Sequence, residues 1–162
     1  MRLANHFNPD HFLNLTEALA VTKEDVHAAW ERTYAELRQS LLAIGSAGTL
    51  YLVFGLQGAG KTTWVHRNSP KLGPNSVFLD GPLPSSSKRA RALCLAREAG
   101  CKAVAVWVDT PFEVALAQNS HRPGLARISQ EAMRHVLGQL EPPTVAEGFA
   151  EVIHVTHPAT EA

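Results

Sequence analysis

The feature that most constrains this 162-residue chain is a glycine-rich octapeptide between an apolar run and a helical stretch. Residues 55–62, here called the glycine loop, read Gly-Leu-Gln-Gly-Ala-Gly-Lys-Thr and match G-x-x-x-x-G-K-[ST] at every fixed position. The preceding residues 50–54 are all apolar, as expected of a strand covered on both faces. The segment therefore predicts a strand, a tight loop and a helix in direct succession.

A loop of this kind is suited to phosphate groups. Its glycines let backbone N–H groups close around phosphate oxygens, and the N-terminus of the following helix faces them. In that arrangement Lys61 reaches the β- and γ-phosphates, and the Thr62 hydroxyl is a ligand of Mg²⁺. We therefore expect ATP and Mg²⁺ to bind, with a purely structural turn as the alternative. The expected nucleotide-binding residues are Gly55, Gln57, Gly58, Ala59, Gly60, Lys61, Thr62 and Thr63.

Apolar runs and helical stretches alternate through the rest of the chain. Further apolar runs that predict strands lie at residues 77–79, 103–108 and 152–155. Helical patterns lie at about residues 61–68, 86–99, 111–120 and 129–140. The alternation predicts parallel βαβ units with the ligand crevice at the carboxyl ends of the strands. We expect a three-layer α/β/α domain of the P-loop NTPase class, with a small, mainly parallel sheet centred on residues 50–54.

The N-terminal part has a helical pattern instead. Residues 1–48 are predicted to be a helical extension preceding a nucleotide-binding domain at residues 49–162. A capping box of Thr22 and Asp25 predicts a helix start, and Gly45 and Gly48 predict its end. An apolar stripe at helical spacing, expected to pack on the sheet, consists of Val26, Trp30, Tyr34, Leu37, Leu41 and Ile44.

Composition narrows the class of protein further. The 15 Lys and Arg residues balance 15 Asp and Glu residues, and 45% of the chain is apolar, which excludes a disordered chain. Cys94 and Cys101 lack metal-ligand spacing, and Cys94 is predicted to be a core residue of its helix. The histidines form no H-x-x-x-H pair, so no histidine metal site is expected. No apolar run reaches the roughly 18 to 20 residues of a membrane span, so we expect a soluble cytoplasmic protein.

Asp80 and Arg122 are the candidates for catalysis beside Lys61. Asp80 ends the run at residues 77–79, where it could hold Mg²⁺ or accept a proton from a hydroxyl nucleophile; a turn-forming role before Gly81 is the alternative. Arg122 lies in a polar segment between two helices, residues 121–127, here called the lid segment. An arginine there can neutralise charge on a transferring phosphoryl group, with Arg127 as the substitute.

Other charged residues near strand ends have two interpretations. Lys88, Arg89 and Arg91 open the helix after Asp80 and could hold acceptor phosphates or form a solvated helix face. Asp109 ends another predicted strand, where a structural or capping role is favoured over a functional one. The sequence that follows it, Thr110-Pro111-Phe112-Glu113, predicts a helix start with Thr110 as its N-cap.

These blocks together resemble the P-loop kinase family that includes the kinase domain of polynucleotide 5′-hydroxyl kinase and bacterial "AAA family ATPase" relatives. The resemblance covers about residues 50–155. The blocks that carry it are Gly55 to Thr62, Val77-Phe78-Leu79-Asp80 with Arg89, Val106-Trp107-Val108-Asp109-Thr110-Pro111, Asn119-Ser120-His121-Arg122-Pro123, and Glu141-Pro142-Pro143 with Glu147-Gly148-Phe149.

The chain departs from that family in the acceptor half of the site. Family members usually have another strand and an Asp general base in the stretch corresponding to Lys61 to Asp80, which is too short for them here. Pro82 and Leu83 replace the usual Thr and Asn, and Gln118 replaces the first of two lid arginines. The resemblance thus implies that the nucleotide half of the site is better preserved than the acceptor half.

The leading hypothesis is an ATP-dependent kinase that phosphorylates a hydroxyl acceptor, either a polynucleotide 5′ end or a small molecule. One alternative is a nucleotide-binding module without catalysis, whose N-terminal helices dock a protein partner; the missing base-bearing strand favours it. The other is an ATP hydrolase that acts as a switch.

Overall fold

The computed structural model describes residues 2–15 and 20–156, which form one five-stranded sheet with helices on both faces. The strands are β1 (His6–Phe7), β2 (Thr49–Phe54), β3 (Ser76–Gly81), β4 (Lys102–Asp109) and β5 (Glu151–Thr156). Their order across the sheet is β1-β3-β2-β4-β5, and each neighbouring pair is parallel. The expected central position of the strand that leads into the glycine loop is confirmed, since β2 lies between β3 and β4.

Helices connect the strands as the alternating pattern predicted. They are α1 (Lys23–Ile44), α2 (Lys61–Leu72), α3 (Ser86–Ala99), α4 (Phe112–Ser120) and α5 (Gln130–Gln139). Short 3-10 turns lie at Pro9–Phe12, Gly45–Ala47, Gly124–Ala126 and Val145–Glu147. The predicted α/β class with a parallel sheet is therefore confirmed, and the largest boundary difference is α2, which continues four residues beyond the predicted end.

Alternate side chains of the central strands pack into two cores, one on each face of the sheet. On one face, Leu50 and Leu52 of β2 pack with α1 and α3 residues such as Leu37 and Ala92. On the other face, Val53 packs with residues of α2, α4 and α5. Because strand side chains alternate in direction, this burial on both faces explains why β2 is an uninterrupted apolar run.

Helix α1 begins and packs as the sequence predicted. The Thr22 hydroxyl accepts a hydrogen bond from the Asp25 N–H at 3.1 Å, and the Asp25 carboxylate accepts one from the Thr22 N–H at 2.9 Å. The helix ends at Gly45. The middle of the apolar stripe, including Leu37, is buried, whereas Val26 near the start of α1 is 38% exposed. The beginning of the stripe is thus available for another contact.

The N-terminal segment, residues 2–15, contributes a strand that the sequence analysis did not predict. Residues 1–48 were expected to be helical, but His6 and Phe7 pair in parallel with Phe78 and Leu79 of β3. A two-residue strand has no periodicity to detect, and its partner lies some seventy residues away in the sequence, so the expectation was wrong here. The domain boundary proposed at residue 48 stays a prediction.

A further local expectation, the burial of Cys94, differs from the structure. Cys94 is exposed on α3 instead of lying in the core, because the buried side of that helix is formed by Ala92, Leu93 and Ala96. Within residues 2–15 and 20–156, no helix combines the length and apolar character needed to cross a membrane.

Candidate functional site

The glycine loop is held in its shape by close backbone contacts behind it. Gly58 has φ of +81°, and a Cβ at this position would lie 2.4 Å from the Ala115 carbonyl oxygen. Gly60 has φ of +100° immediately before α2 begins at Lys61. Any larger residue at Gly58, a variable position of the motif, would clash with α4, which is the physical reason for glycine at this point of the loop.

Thr110 supports the loop from the neighbouring strand end instead of capping a helix. Its hydroxyl is buried and donates to the Ala59 carbonyl oxygen at 2.8 Å. The observed N-cap of α4 is Pro111, which makes no side-chain capping bond, so the predicted capping role of Thr110 is wrong. The predicted start of a helix in this segment is correct, with α4 beginning at Phe112.

Lys61 is folded against its own loop. Its Nζ donates to the carbonyl oxygens of Gly55 at 3.0 Å and Leu56 at 2.8 Å, and the side chain is buried. Burial lowers the pKa of Lys61 to about 8, although the negative charge of Asp80 opposes the shift. Further negative charge brought into the site would raise the pKa of Lys61 again and favour its charged form.

Asp80 and Thr62 form a direct pair at the start of α2. The Thr62 hydroxyl donates to Asp80 Oδ2 at 2.7 Å, and His6 Nε2 lies 3.1 Å from the same oxygen. Burial alone would raise the pKa of Asp80, but the His6 bond, the Lys61 charge and the Thr62 bond hold it below its ordinary value. Asp80 is therefore an ionised carboxylate. Its other oxygen, Oδ1, is buried and has no hydrogen-bond partner among the described residues.

One cavity of about 550 Å³ brings the sequence-predicted groups together. The glycine loop and the start of α2 contribute Gln57, Gly58, Gly60, Lys61, Thr62 and Thr63. Asp80, Gln118 and Arg122 also line it, so all three predicted catalytic residues face one space. Of the expected nucleotide-binding residues, Gly55 and Ala59 are instead buried behind the loop surface.

The sequence analysis missed a second carboxylate in this cavity, that of Asp10. Asp10 lies in the turn Pro9–Phe12 directly after β1, and its N–H donates to Asn8 Oδ1 at 2.8 Å. Asp10 is exposed to solvent and lines the cavity. The surrounding walls desolvate the carboxyl and raise the pKa of Asp10 above its ordinary value, against the lowering effect of Arg122. No local pattern around residue 10 indicates this role, because only the β1–β3 pairing carries it to the site.

Arg122 is held in a lid segment whose base is fixed. Asn119 is buried at the end of α4; its Nδ2 donates to the Ile128 carbonyl oxygen at 2.6 Å, and its Oδ1 accepts from the Ile128 N–H at 2.9 Å. Arg122 itself donates to the Ala126 carbonyl oxygen at 3.4 Å, and Arg127 donates from Nε to the Arg122 carbonyl oxygen at 3.1 Å. The two hydrogen bonds between Asn119 and Ile128 fix both ends of the lid segment, and the Arg122 side chain lines the cavity.

Comparison with known proteins gives little beyond this geometry. No family model matches the chain. Among solved structures, an unliganded sugar kinase from Janibacter sp. HTCC2649 is similar over 94% of this chain and 69% of that chain, with 14% sequence identity and a TM-score of 0.43. We therefore argue the function from the residues of the site.

Two arginines considered for the acceptor are paired elsewhere. Arg89 is fully buried; its Nε and Nη2 donate to the two carboxylate oxygens of Glu147 at 2.9 and 3.1 Å. Arg91 is exposed and makes a bidentate pair with Glu31 at 2.6 and 3.0 Å. Neither lines the cavity, so both are structural in this state. Both sequence-based interpretations of Arg89, as a cation that holds acceptor phosphates and as part of a solvated helix face, were wrong.

Asp109 is likewise outside the cavity. Its Oδ2 lies 2.8 Å from His154 Nε2 on the neighbouring strand β5, and both side chains are a little under half exposed to solvent. The favoured structural interpretation of Asp109 agrees with this contact, although the contact is not a helix cap.

Proposed function

We propose that this protein is an ATP-dependent kinase that transfers the γ-phosphoryl group to a hydroxyl acceptor. The observation that carries the proposal is the cavity in which the glycine loop, the Thr62–Asp80 pair, Arg122 and a second carboxylate, Asp10, face one another. A phosphate-binding loop needs only the first of these features. The additional carboxylate and lid cation are the groups that transfer to a hydroxyl requires.

The residues of the loop fit a magnesium–nucleotide complex. The Thr62 hydroxyl and the ionised Asp80 carboxylate are hard oxygen donors of the kind Mg²⁺ prefers, and Asp80 Oδ1 has no other described partner. When bound, Mg²⁺ neutralises charge on the phosphate oxygens. Lys61, now bonded to two carbonyl oxygens, is placed to exchange them for phosphate oxygens at the N-terminus of α2.

Asp10 is the group that we assign to the acceptor hydroxyl. The acceptor oxygen attacks the γ-phosphorus and forms the new P–O bond, and its proton passes to the Asp10 carboxylate. The bond between the γ-phosphorus and the β–γ bridging oxygen breaks, and ADP leaves with that electron pair. A raised pKa makes the Asp10 carboxylate a stronger base than an ordinary carboxylate.

Arg122 is assigned to the charge that spreads over the transferring phosphoryl group. Its guanidinium is permanently charged and presents a planar fork that can span two phosphate oxygens. The lid segment, whose ends are joined by the Asn119–Ile128 hydrogen bonds, holds Arg122 at the cavity wall.

The absence of a base-bearing strand was the reason for favouring a non-catalytic module, and Asp10, which follows β1 and lines the cavity, is our candidate for the missing base. ATP labelled on the γ-phosphate, incubated with Mg²⁺ and a panel of hydroxyl compounds, separates the candidates. We expect the label on an acceptor. Label released only as inorganic phosphate would indicate a hydrolase, and ATP binding without any loss of label would indicate a binding module.

A further inference from the structure

The residues that line the cavity indicate the chemical class of the acceptor. We propose that the acceptor is a small, uncharged alcohol with an aromatic or aliphatic body, bound beside Asp10 in an apolar part of the cavity. The inference rests on the proposed kinase function and specifies its substrate class, which the sequence left open between a polynucleotide and a small molecule.

Apolar side chains from the N-terminal part form most of this region, which we call the acceptor chamber. The chamber consists of Leu13, Leu15, Val21, Val26, Trp30 and Pro82. Each of these side chains keeps some accessible surface instead of being closed into the core, and Val26 is 38% exposed. Apolar surface left accessible inside a cavity is most simply explained as the wall of a binding site for an apolar ligand.

The chamber adjoins the site of transfer. Trp30 packs against the end of β3, so that a Cβ on Gly81 would lie 2.8 Å from Trp30 Cη2. Gly81 follows Asp80 directly, and Asp10 lies in the same segment as Leu13. From the other side, Gly124 of the lid segment approaches the Leu15 backbone; a Cβ there would lie 3.4 Å from the Leu15 carbonyl oxygen. An apolar body in the chamber would thus direct its hydroxyl toward Asp10.

The charges of the described residues that line the cavity argue against a polynucleotide in this chamber. Among the described residues that line the cavity, the basic side chains are Lys61 and Arg122, and the proposed mechanism assigns both to ATP. Arg89 and Arg91 are paired with carboxylates outside it. A nucleic acid would bring several phosphates, and its binding depends on Lys and Arg to neutralise them.

The chamber also disfavours a sugar. A sugar bound there would place several hydroxyl groups against described side chains that offer one hydrogen-bonding group, the Trp30 indole N–H, and burying hydroxyl groups unpaired is unfavourable. A compound with one hydroxyl and an apolar body leaves no such group unsatisfied.

Ligand-observed NMR with the full chain, Mg²⁺ and a non-hydrolysable ATP analogue tests the inference without requiring turnover. The probes are benzyl alcohol, glucose and a 5′-hydroxyl oligonucleotide. We expect binding of benzyl alcohol in preference to the other two. Val26→Gln, which places an amide in the chamber at a partly exposed position, should weaken benzyl alcohol binding by about fivefold or more.

Leu42→Gln is the matched control, since Leu42 is an exposed residue of the same helix that does not line the cavity. It should leave benzyl alcohol binding unchanged, and neither variant should change the affinity for the ATP analogue. The inference would be overturned by preferential binding of glucose or the oligonucleotide, or by no binding of benzyl alcohol. It would also be overturned if Val26→Gln bound benzyl alcohol as well as the natural protein does. Benzyl alcohol binding that Val26→Gln weakens, with no label transferred to any hydroxyl compound, would uphold the chamber and contradict the kinase function.

Discussion

Lys61 is the residue whose chemistry is most directly tied to the nucleotide. Lys61→Ala should weaken ATP binding in the presence of Mg²⁺ by about tenfold to a hundredfold or more, because charge-assisted hydrogen bonds are worth roughly 1.5–3 kcal/mol. The nucleotide-free variant should be no less stable than the natural protein, since the substitution removes a buried charge. Titration calorimetry and thermal unfolding measure the two effects. Lys71→Ala, at an exposed position of α2, is the control that should change neither.

The same lysine predicts a proton linkage. The folded pKa of about 8 lies below the ordinary 10.5, so the unfolded chain holds a proton between these pH values that the nucleotide-free fold has lost. The penalty for burying the charged lysine is therefore full below pH 8 and disappears as the pH rises toward 10.5. ATP should return the proton, so calorimetry near pH 8.5 in buffers of different ionisation enthalpy should show proton uptake. Uptake that persists in Lys61→Met would show that another group titrates.

Arg122 is expected to act on the transition state more than on bound ATP. Arg122→Ala should lower kcat by on the order of a hundredfold, with only a modest change in the ATP dissociation constant. Arg122→Lys should recover little, because an ammonium group lacks the planar fork. Arg67→Ala, an exposed arginine on α2, is the matched control. Equal losses in turnover and ATP affinity for Arg122→Ala would make Arg122 a binding residue instead.

At the scale of elements, the Arg89–Glu147 pair joins α3 to the turn Val145–Glu147. Arg89 also donates to the carbonyl oxygens of Leu83 and Pro84, so removal of the carboxylate would leave a buried cation only partly compensated. Glu147→Ala should lower the free energy of unfolding by about 3–5 kcal/mol. Glu31→Ala, which breaks the exposed pair with Arg91, should lower it by less than about 1 kcal/mol. Denaturant unfolding measures the free energy of unfolding of both variants. Equal losses of that free energy would show that the buried Arg89 pair stabilises the fold no more than the exposed Arg91 pair does.

The elements that the sequence predicted well are those with a local signal. Strand β2 is apolar throughout because it is covered on both faces, and α1 has its capping box and apolar stripe within one continuous segment. Strand β1 has no such signal, since it has only two residues and they pair with Phe78 and Leu79 of β3, far away in the sequence. Arg89 was misjudged for the same reason: its partner Glu147 is distant in the sequence.

The residues of the candidate site likewise differ in whether a local sequence signal predicts them. Lys61, Thr62 and the other glycine-loop residues follow from one motif, and Asp80 follows from its place at the end of a strand. Asp10 could not be predicted, because it reaches the cavity only through the position of β1 at the edge of the sheet. A carboxylate that comes from the start of the chain cannot be detected by searching the stretch between Lys61 and Asp80.

At the scale of the whole molecule, the account therefore depends on the N-terminal segment as part of the site. It supplies a strand, a carboxylate and apolar walls to a cavity whose other side is the glycine loop. A nucleotide-binding domain with an independent extension would retain its activity when the extension is altered. A site built jointly from the N-terminal segment and the glycine loop would lose phosphoryl transfer when that segment is altered, while it keeps ATP binding.

The most direct test is single-turnover transfer of the labelled γ-phosphoryl group by Asp10→Asn, measured with its ATP dissociation constant and with the best acceptor from the panel. We expect transfer to be slower by about a hundredfold or more, as for loss of a general base, with ATP affinity nearly unchanged. In the natural protein the rate should rise with pH as Asp10 ionises through its raised pKa, and the variant should lack this rise. Asp109→Asn, at a carboxylate outside the cavity, should behave like the natural protein. Undiminished transfer by Asp10→Asn, with the same dependence on pH, would contradict the account.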